Sequence, residues 1–176
     1  MSIGDRIAIL EIVASGARRR PSPAQPPALE ELFHVLAACP DPDLAESVEQ
    51  RIWSLWMYHP HRRAARHLDC ASTEIATHCH DIAETRLIRL VRGAPCYAEA
   101  WNKLATLYYL QERDAECLDA LHHVLELEPR HFGAICSAAE IFLSQGDRDE
   151  AAFAFEAALR IHPHLGEARQ RLVEMH

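Results

Sequence analysis

Apolar residues recur every three or four positions along most of this chain, the spacing that places them on one face of an α-helix. The pattern breaks at Pro95, Pro129 and Pro163, which lie 34 residues apart, and an alanine follows each proline five residues later. Proline cannot donate a backbone hydrogen bond and restricts the residue before it, so each of these prolines predicts the end of a helix. The sequence therefore predicts an all-α chain built from repeated pairs of helices.

Small residues follow the same period. If each unit is numbered so that its proline is position 32, three units are predicted, at residues 64–97, 98–131 and 132–163. Two packed helices need small side chains where they approach most closely, because a larger group would push them apart. Positions 8 and 20 of each unit meet this need. They are Ala71, Ala105 and Ala139 at position 8, and Ala83, Cys117 and Ala151 at position 20.

The segments on either side of the repeats carry different patterns. Residues 28–62 predict a helical pair, broken at "PDPD", which we expect to cover the open end of the stack. Residues 164–176 predict one capping helix with Leu165, Ala168 and Leu172 facing the last unit. Residues 1–27 include the proline-rich stretch "RRRPSPAQPP", which predicts a flexible N-terminal segment and linker.

The 34-residue period, the small residues at positions 8 and 20 and the closing proline resemble the tetratricopeptide repeat (TPR) family, with a degenerate first unit. The stretches "EQRIWSLW", "AEAWNKLATLYYL" and "LEPRHFGA" resemble a group of small bacterial TPR proteins that share them in this order. The resemblance implies an α-α superhelix. It also implies a non-catalytic scaffold or adaptor that binds a peptide segment of a partner protein.

In TPR proteins the first helix of each unit lines a concave groove, and stacked hairpins with a small rotation per unit produce such a surface. The predicted peptide contacts lie on these first helices. Asn102 offers a donor and an acceptor to a peptide backbone, and Tyr109 offers apolar area with a polar tip. The full set is Asn102, Lys103, Thr106, Tyr109, Glu140, Leu68 and Ser72.

Charge narrows the range of partners. The net charge is −8, and residues 28–176 carry 14 basic against 24 acidic residues, which disfavours nucleic acid. The six cysteines form no CxxC pair and read as reduced thiols, and no apolar run is long enough to cross a bilayer. We expect a cytoplasmic location, with export as the alternative. No nucleophile with a base and no phosphate loop stands out, so we expect neither an enzyme nor a cofactor.

Two other hypotheses remain open from the sequence. Trp53 and Trp56 share a helical stripe, which favours packing against the first unit; if exposed, they would support a self-associating structural protein. Twelve histidines invite a metal hypothesis, centred on His78, Cys79 and His80 at a turn where His67 or Cys70 could join them. The pairs of histidines lack the i, i+4 spacing at which two ligands on one helix converge, so we expect no metal site.

Overall fold

In the computed structural model, which describes residues 3–16 and 19–175, the chain folds into α-helices joined by short turns, and its described part contains no strand. Six helices form the three repeated hairpins. These are α4 (Arg62–Ala76) with α5 (His80–Gly93), α6 (Ala98–Leu110) with α7 (Asp114–Leu127), and α8 (Phe132–Ser144) with α9 (Arg148–Ile161). The remaining helices are α1 (Ile3–Ser15), α2 (Ala28–Ala38), α3 (Pro42–Met57) and α10 (Gly166–Glu174).

The seam of each hairpin consists of the small residues at positions 8 and 20. All six are fully buried, with Ala105 at 1% exposure the most accessible of them. The two helices of a hairpin, and each hairpin and the next, pack through one continuous apolar core. The chain is thus the predicted all-α superhelix, closed at its C-terminal end by α10, whose Ala168 is buried against α9.

The turn inside each hairpin has the same backbone geometry. His78, Glu112 and Gly146 occupy position 15 of their units, and all three have positive φ values, of 58°, 58° and 85°. The next residue donates its backbone N–H to the carbonyl five residues earlier, as in Arg113 to Tyr108 at 2.9 Å, which caps the first helix. Only the third unit has the glycine that tolerates this left-handed conformation without strain.

Helix α1 departs from the sequence expectation. Residues 1–27 were predicted to be flexible, but α1 packs against α7 and α9, and Ile9, Ile12 and Val13 are buried there. The guanidinium of Arg6 pairs with Glu150 at 2.9 Å and also with Asp147. After α1, Ser22 donates its backbone N–H to the carbonyl of Leu127 at 2.8 Å. The apolar residues of this segment thus form the stripe that binds α1 to the repeats.

The helical pair α2–α3 also lies elsewhere than expected. It does not cover the open end of the stack at α4 and α5. Instead it runs along the corners that join one repeat to the next, where a second core of Phe33, Ile52, Trp56 and Phe132 forms. The first unit has His67 and Glu74 at positions where large apolar groups occur in the other units.

The seam can be tested by overpacking it. Ala105→Leu should lower the free energy of unfolding by about 1–3 kcal/mol, because the added side chain has no space between α6 and α7. Ala115→Leu, at an exposed position of α7, is the matched control and should stay within about 0.5 kcal/mol of wild type. Urea denaturation measures both, and equal midpoints for the two variants would contradict the assigned repeat register.

Candidate peptide-binding face

The concave face of the first helices is divided into a covered part and an open part. The covered part lies at the N-terminal ends of α6 and α8, where α3 packs on the face through Trp53 and Trp56. The ring of Trp56 stacks on that of His131, with centroids 3.9 Å apart and planes 8° from parallel. Trp53 meets Phe132 edge to face at 5.6 Å, and it also reaches the backbone at Gly133.

His131 is the centre of this contact. Its Nδ1 accepts the backbone N–H of Ala134 at 3.1 Å and so caps the start of α8. Because Nδ1 is an acceptor, Nε2 carries the proton and donates it to Glu99 Oε2 at 3.3 Å. Both side chains have 0% exposure. One imidazole therefore joins the second unit, the third unit and α3.

The carboxylate of Glu99 is surrounded by further donors. The amide of Asn102 donates to both carboxylate oxygens, at 3.3 and 3.2 Å, and Lys103 Nζ lies 3.4 Å from Oε1. Burial acts to raise the pKa of Glu99, but the hydrogen bond from His131, the charge of Lys103 and the Asn102 amide outweigh it. The pKa of Glu99 is therefore lower than in the unfolded chain, and the group is an anion at neutral pH.

Other corner residues hold α2 and α3 in place. His162 Nε2 donates to Glu49 Oε2 at 3.0 Å, and Trp53 Nε1 donates to the other oxygen of the same carboxylate at 3.1 Å. The hydroxyl of Tyr97 donates to the carbonyl of Met57 at the end of α3. Arg130 stacks on the ring of Phe33 and pairs with Glu30 and Glu128. Each of the three proline corners thus contributes a polar contact to the α2–α3 hairpin.

These contacts correct two of the predicted peptide-binding residues. Leu68, at position 5 of the first unit, is fully buried in the core between the helices. Asn102 is only 8% exposed, and its amide donates to Glu99 instead of facing the groove. Lys103 is partly exposed but is also directed at Glu99. The sequence did not reveal the buried pair of Glu99 and His131, since each looked like an ordinary polar residue of a helix or corner.

The open part of the concave face contains the other predicted residues. Thr106 is exposed, and Tyr109 is 47% exposed. Ser72 is partly exposed, and its hydroxyl donates to the carbonyl of Leu68 at 3.0 Å, as that of Thr106 does to Asn102. Glu140 pairs with Arg171 of α10 at 2.7 Å. This part offers hydroxyl acceptors, one carboxylate and one large amphipathic ring.

The structure also bears on the two alternative hypotheses, self-association through Trp53 and Trp56 and metal binding by the histidines. Trp56 is buried and Trp53 is half-buried, both against the start of the third unit and not the first, so they form no exposed aromatic anchor for self-association. In the part of the chain that the structure describes, no three His, Cys, Asp or Glu side chains converge as ligands of one metal ion. His67 instead accepts a hydrogen bond from Arg86 at 3.1 Å.

Among the described helices, none is both long and apolar enough to cross a bilayer.

Three stacked helical hairpins of one period and a capping helix define an all-α repeat superhelix, and the chain is similar to proteins of the tetratricopeptide repeat family. It is 31% identical over 135 residues to a TPR repeat-containing protein of Rhizobium etli; the match spans 77% of this chain and 66% of the relative, just under two thirds of that protein's length. No family model matches the chain.

Solved structures with the same fold include two crystal structures of MamA. One has a TM-score of 0.59 at 16% identity and covers 97% of this chain and 80% of that protein. The other has a TM-score of 0.53 at 19% identity and covers 99% and 98%. At this level of identity the likeness is one of fold.

The buried carboxylate can be tested through pH. A carboxyl group whose pKa is lower in the folded than in the unfolded chain stabilises the fold above the unfolded value, near 4.5, and loses that contribution as the pH falls through the folded value. Glu99→Gln should therefore cost on the order of 2 kcal/mol at pH 7, and its deficit relative to wild type should shrink as the pH falls below 4.5.

Urea unfolding of wild type and Glu99→Gln at several pH values measures this difference. Glu126→Gln is the matched control on an exposed part of α7, and its effect should be small at every pH. A deficit for Glu99→Gln that stays constant as the pH falls from 7 to well below 4.5 would contradict an ionised Glu99.

The position of α3 can be tested at Gly133. A Cβ there would lie 2.9 Å from Cη2 of Trp53, so Gly133→Ala should displace the indole and lower stability by about 1 kcal/mol. Gly93→Ala is the control, since a Cβ at that helical position meets nothing within 4 Å. Tryptophan fluorescence and urea unfolding report the change. Equal stability and identical emission in the two variants would place Trp53 elsewhere.

Proposed function

We propose that the protein is a non-catalytic scaffold that binds an extended segment of a partner protein along the open part of its concave face. The observation that carries this proposal is the division of the face, in which α3 covers the N-terminal ends of the first helices and leaves Thr106 and Tyr109 accessible. The TPR family of its relative is consistent with such a role.

The chemistry of the open part favours a peptide as the ligand. Tyr109 can bury its ring against an apolar side chain while its hydroxyl stays in water or accepts a backbone N–H. The hydroxyls of Ser72 and Thr106 use their hydrogens on their own helices, so they present lone pairs to donors of a bound chain. Glu140 is paired with Arg171 and Lys103 is paired with Glu99, so these two residues add little uncompensated charge to the face.

A photo-crosslinking amino acid placed at position 109 tests the proposal in cells of the native host. We expect covalent adducts with a partner segment, identified by mass spectrometry, from position 109 and not from position 58, where the control residue Tyr58 is 62% exposed away from this face. A synthetic copy of the captured segment should then bind about tenfold more weakly to Tyr109→Ala, since an aromatic contact of about 1.4 kcal/mol is lost.

Tyr58→Ala should bind that synthetic segment like wild type. Adducts of equal yield at positions 58 and 109, or an affinity that Tyr109→Ala leaves unchanged, would refute binding at the open concave part.

A further inference from the structure

The open end of the stack carries a cleft that no helix covers. It is lined by residues of α4, α5 and the turns that flank them and by no residue of α6, and its volume is about 870 Å³. Its floor is apolar, with Ile82 at 55% exposure beside Ala64, Leu90 and Ala94. The α2–α3 hairpin, which could have closed this end, is held instead at the proline corners.

The rim of this cleft is basic in an acidic protein. Residues 59–94 contain six arginines against four acidic residues, whereas the whole chain has a net charge of −8. The rim residues include Arg63, Arg89, His61 and His67, and the acidic residue among the lining is Asp81. Positive charge is thus concentrated where the stack ends.

Two of these arginines are available to a ligand. Neither Arg63 nor Arg89 has an ion-pair or hydrogen-bond partner among residues 3–16 and 19–175, and both are exposed. Arg86 differs, because it is fixed by Glu74 on α4, with contacts of 2.8 and 3.0 Å from its Nε. Arg86 therefore braces the two helices, and Arg63 on α4 and Arg89 on α5 remain at the cleft as charges without counter-ions among the described residues.

Comparison with the third unit shows where the first unit differs from it. Positions 4, 23 and 26 of the third unit, which has a neighbour on each side, are Ile135, Ala154 and Ala157, all buried. The same positions of the first unit are His67, Arg86 and Arg89. The seam residues Ala71 and Ala83 remain buried. The first unit thus keeps its internal packing and has basic residues in place of apolar ones on its free face.

We infer that this cleft is a second interaction site, which binds an acidic amphipathic helix of a partner protein. Hairpin faces elsewhere in the stack receive a helix, since α6 packs against α5, α8 packs against α7, and α1 packs against α7 and α9. The exposed apolar floor requires an apolar stripe on the ligand, and the unpaired Arg63 and Arg89 require carboxylates beside that stripe. Helices α4 and α5 are each about four turns long, so a ligand helix of roughly four turns fits along them.

This site can be tested with a phage-displayed library of helical peptides about four turns long. The library is randomised at the apolar stripe of the helix and at the positions that flank the stripe. Clones are selected on the full chain and counter-selected on Arg63→Glu/Arg89→Glu. We expect enriched sequences with an apolar stripe flanked by Asp and Glu. Synthetic copies should bind about tenfold more weakly to this double variant in fluorescence anisotropy, and more weakly as salt is raised.

The matched control is Arg62→Glu/Arg92→Glu, which makes the same charge change on the same helices outside the cleft. It should alter affinity less than twofold, and Ile82→Ser should weaken binding because it removes exposed floor. Tyr109→Ala should bind these peptides like wild type, so that failure of this site and failure of the concave site are distinguishable. Circular dichroism confirms that each variant is folded.

Four outcomes of the selection and binding measurements would overturn the inference. They are the absence of enriched clones, enrichment without acidic residues, equal losses in the two arginine variants, and full displacement by inorganic phosphate with no need for the apolar stripe, which would indicate a simple anion site. A concentration-dependent dimer in analytical ultracentrifugation that Arg63→Glu/Arg89→Glu abolishes would assign the cleft to a second copy of this chain, and would overturn it as well.

Discussion

The buried contact of His131 with Glu99 and Trp56 is the interaction on which the rest of the architecture depends. His131 follows the corner proline of the second unit, so the repeat fixes its place, and its two ring nitrogens have different partners. One caps α8 and the other binds the carboxylate on α6. The face of the same ring receives Trp56 of α3. The stacking of two repeats and the docking of the N-terminal hairpin are therefore coupled through one side chain.

This coupling requires burying the carboxylate of Glu99, and the surrounding residues offset the free-energy cost of that burial. A carboxylate with no solvent exposure is strongly disfavoured unless it is hydrogen-bonded and paired. Glu99 meets that condition only because Asn102 and Lys103, one turn along α6, are also directed at it. Asn102 is thus part of the interior, and the partly exposed Lys103 is directed at Glu99 instead of at a ligand. Asn102 and Lys103 therefore stabilise the covered part of the concave face, and they are not free to bind a ligand there.

The sequence predicted those features that depend on local or periodic constraints. The 34-residue period, the closing prolines and the small residues at positions such as Ala105 and Cys117 each reflect a backbone or packing requirement that one unit imposes by itself. The location of α1 and of α2–α3 could not be predicted in this way. An amphipathic pattern shows that a helix has an apolar face but does not say which surface covers it, because burial energy is not directional.

The same reasoning explains which site residues were predicted. Thr106 and Tyr109 are exposed as expected because their positions depend only on the curvature of the stack. Asn102 was misplaced because its environment is set by Glu99 and His131, which are 32 residues apart in sequence and meet only when two units stack. The first unit shows the converse case. Its inner seam obeys the repeat while its outer face, which packs on no other unit, is free to vary. The basic residues of that face are therefore compatible with an intact repeat, because they replace none of the residues that hold α4 and α5 together.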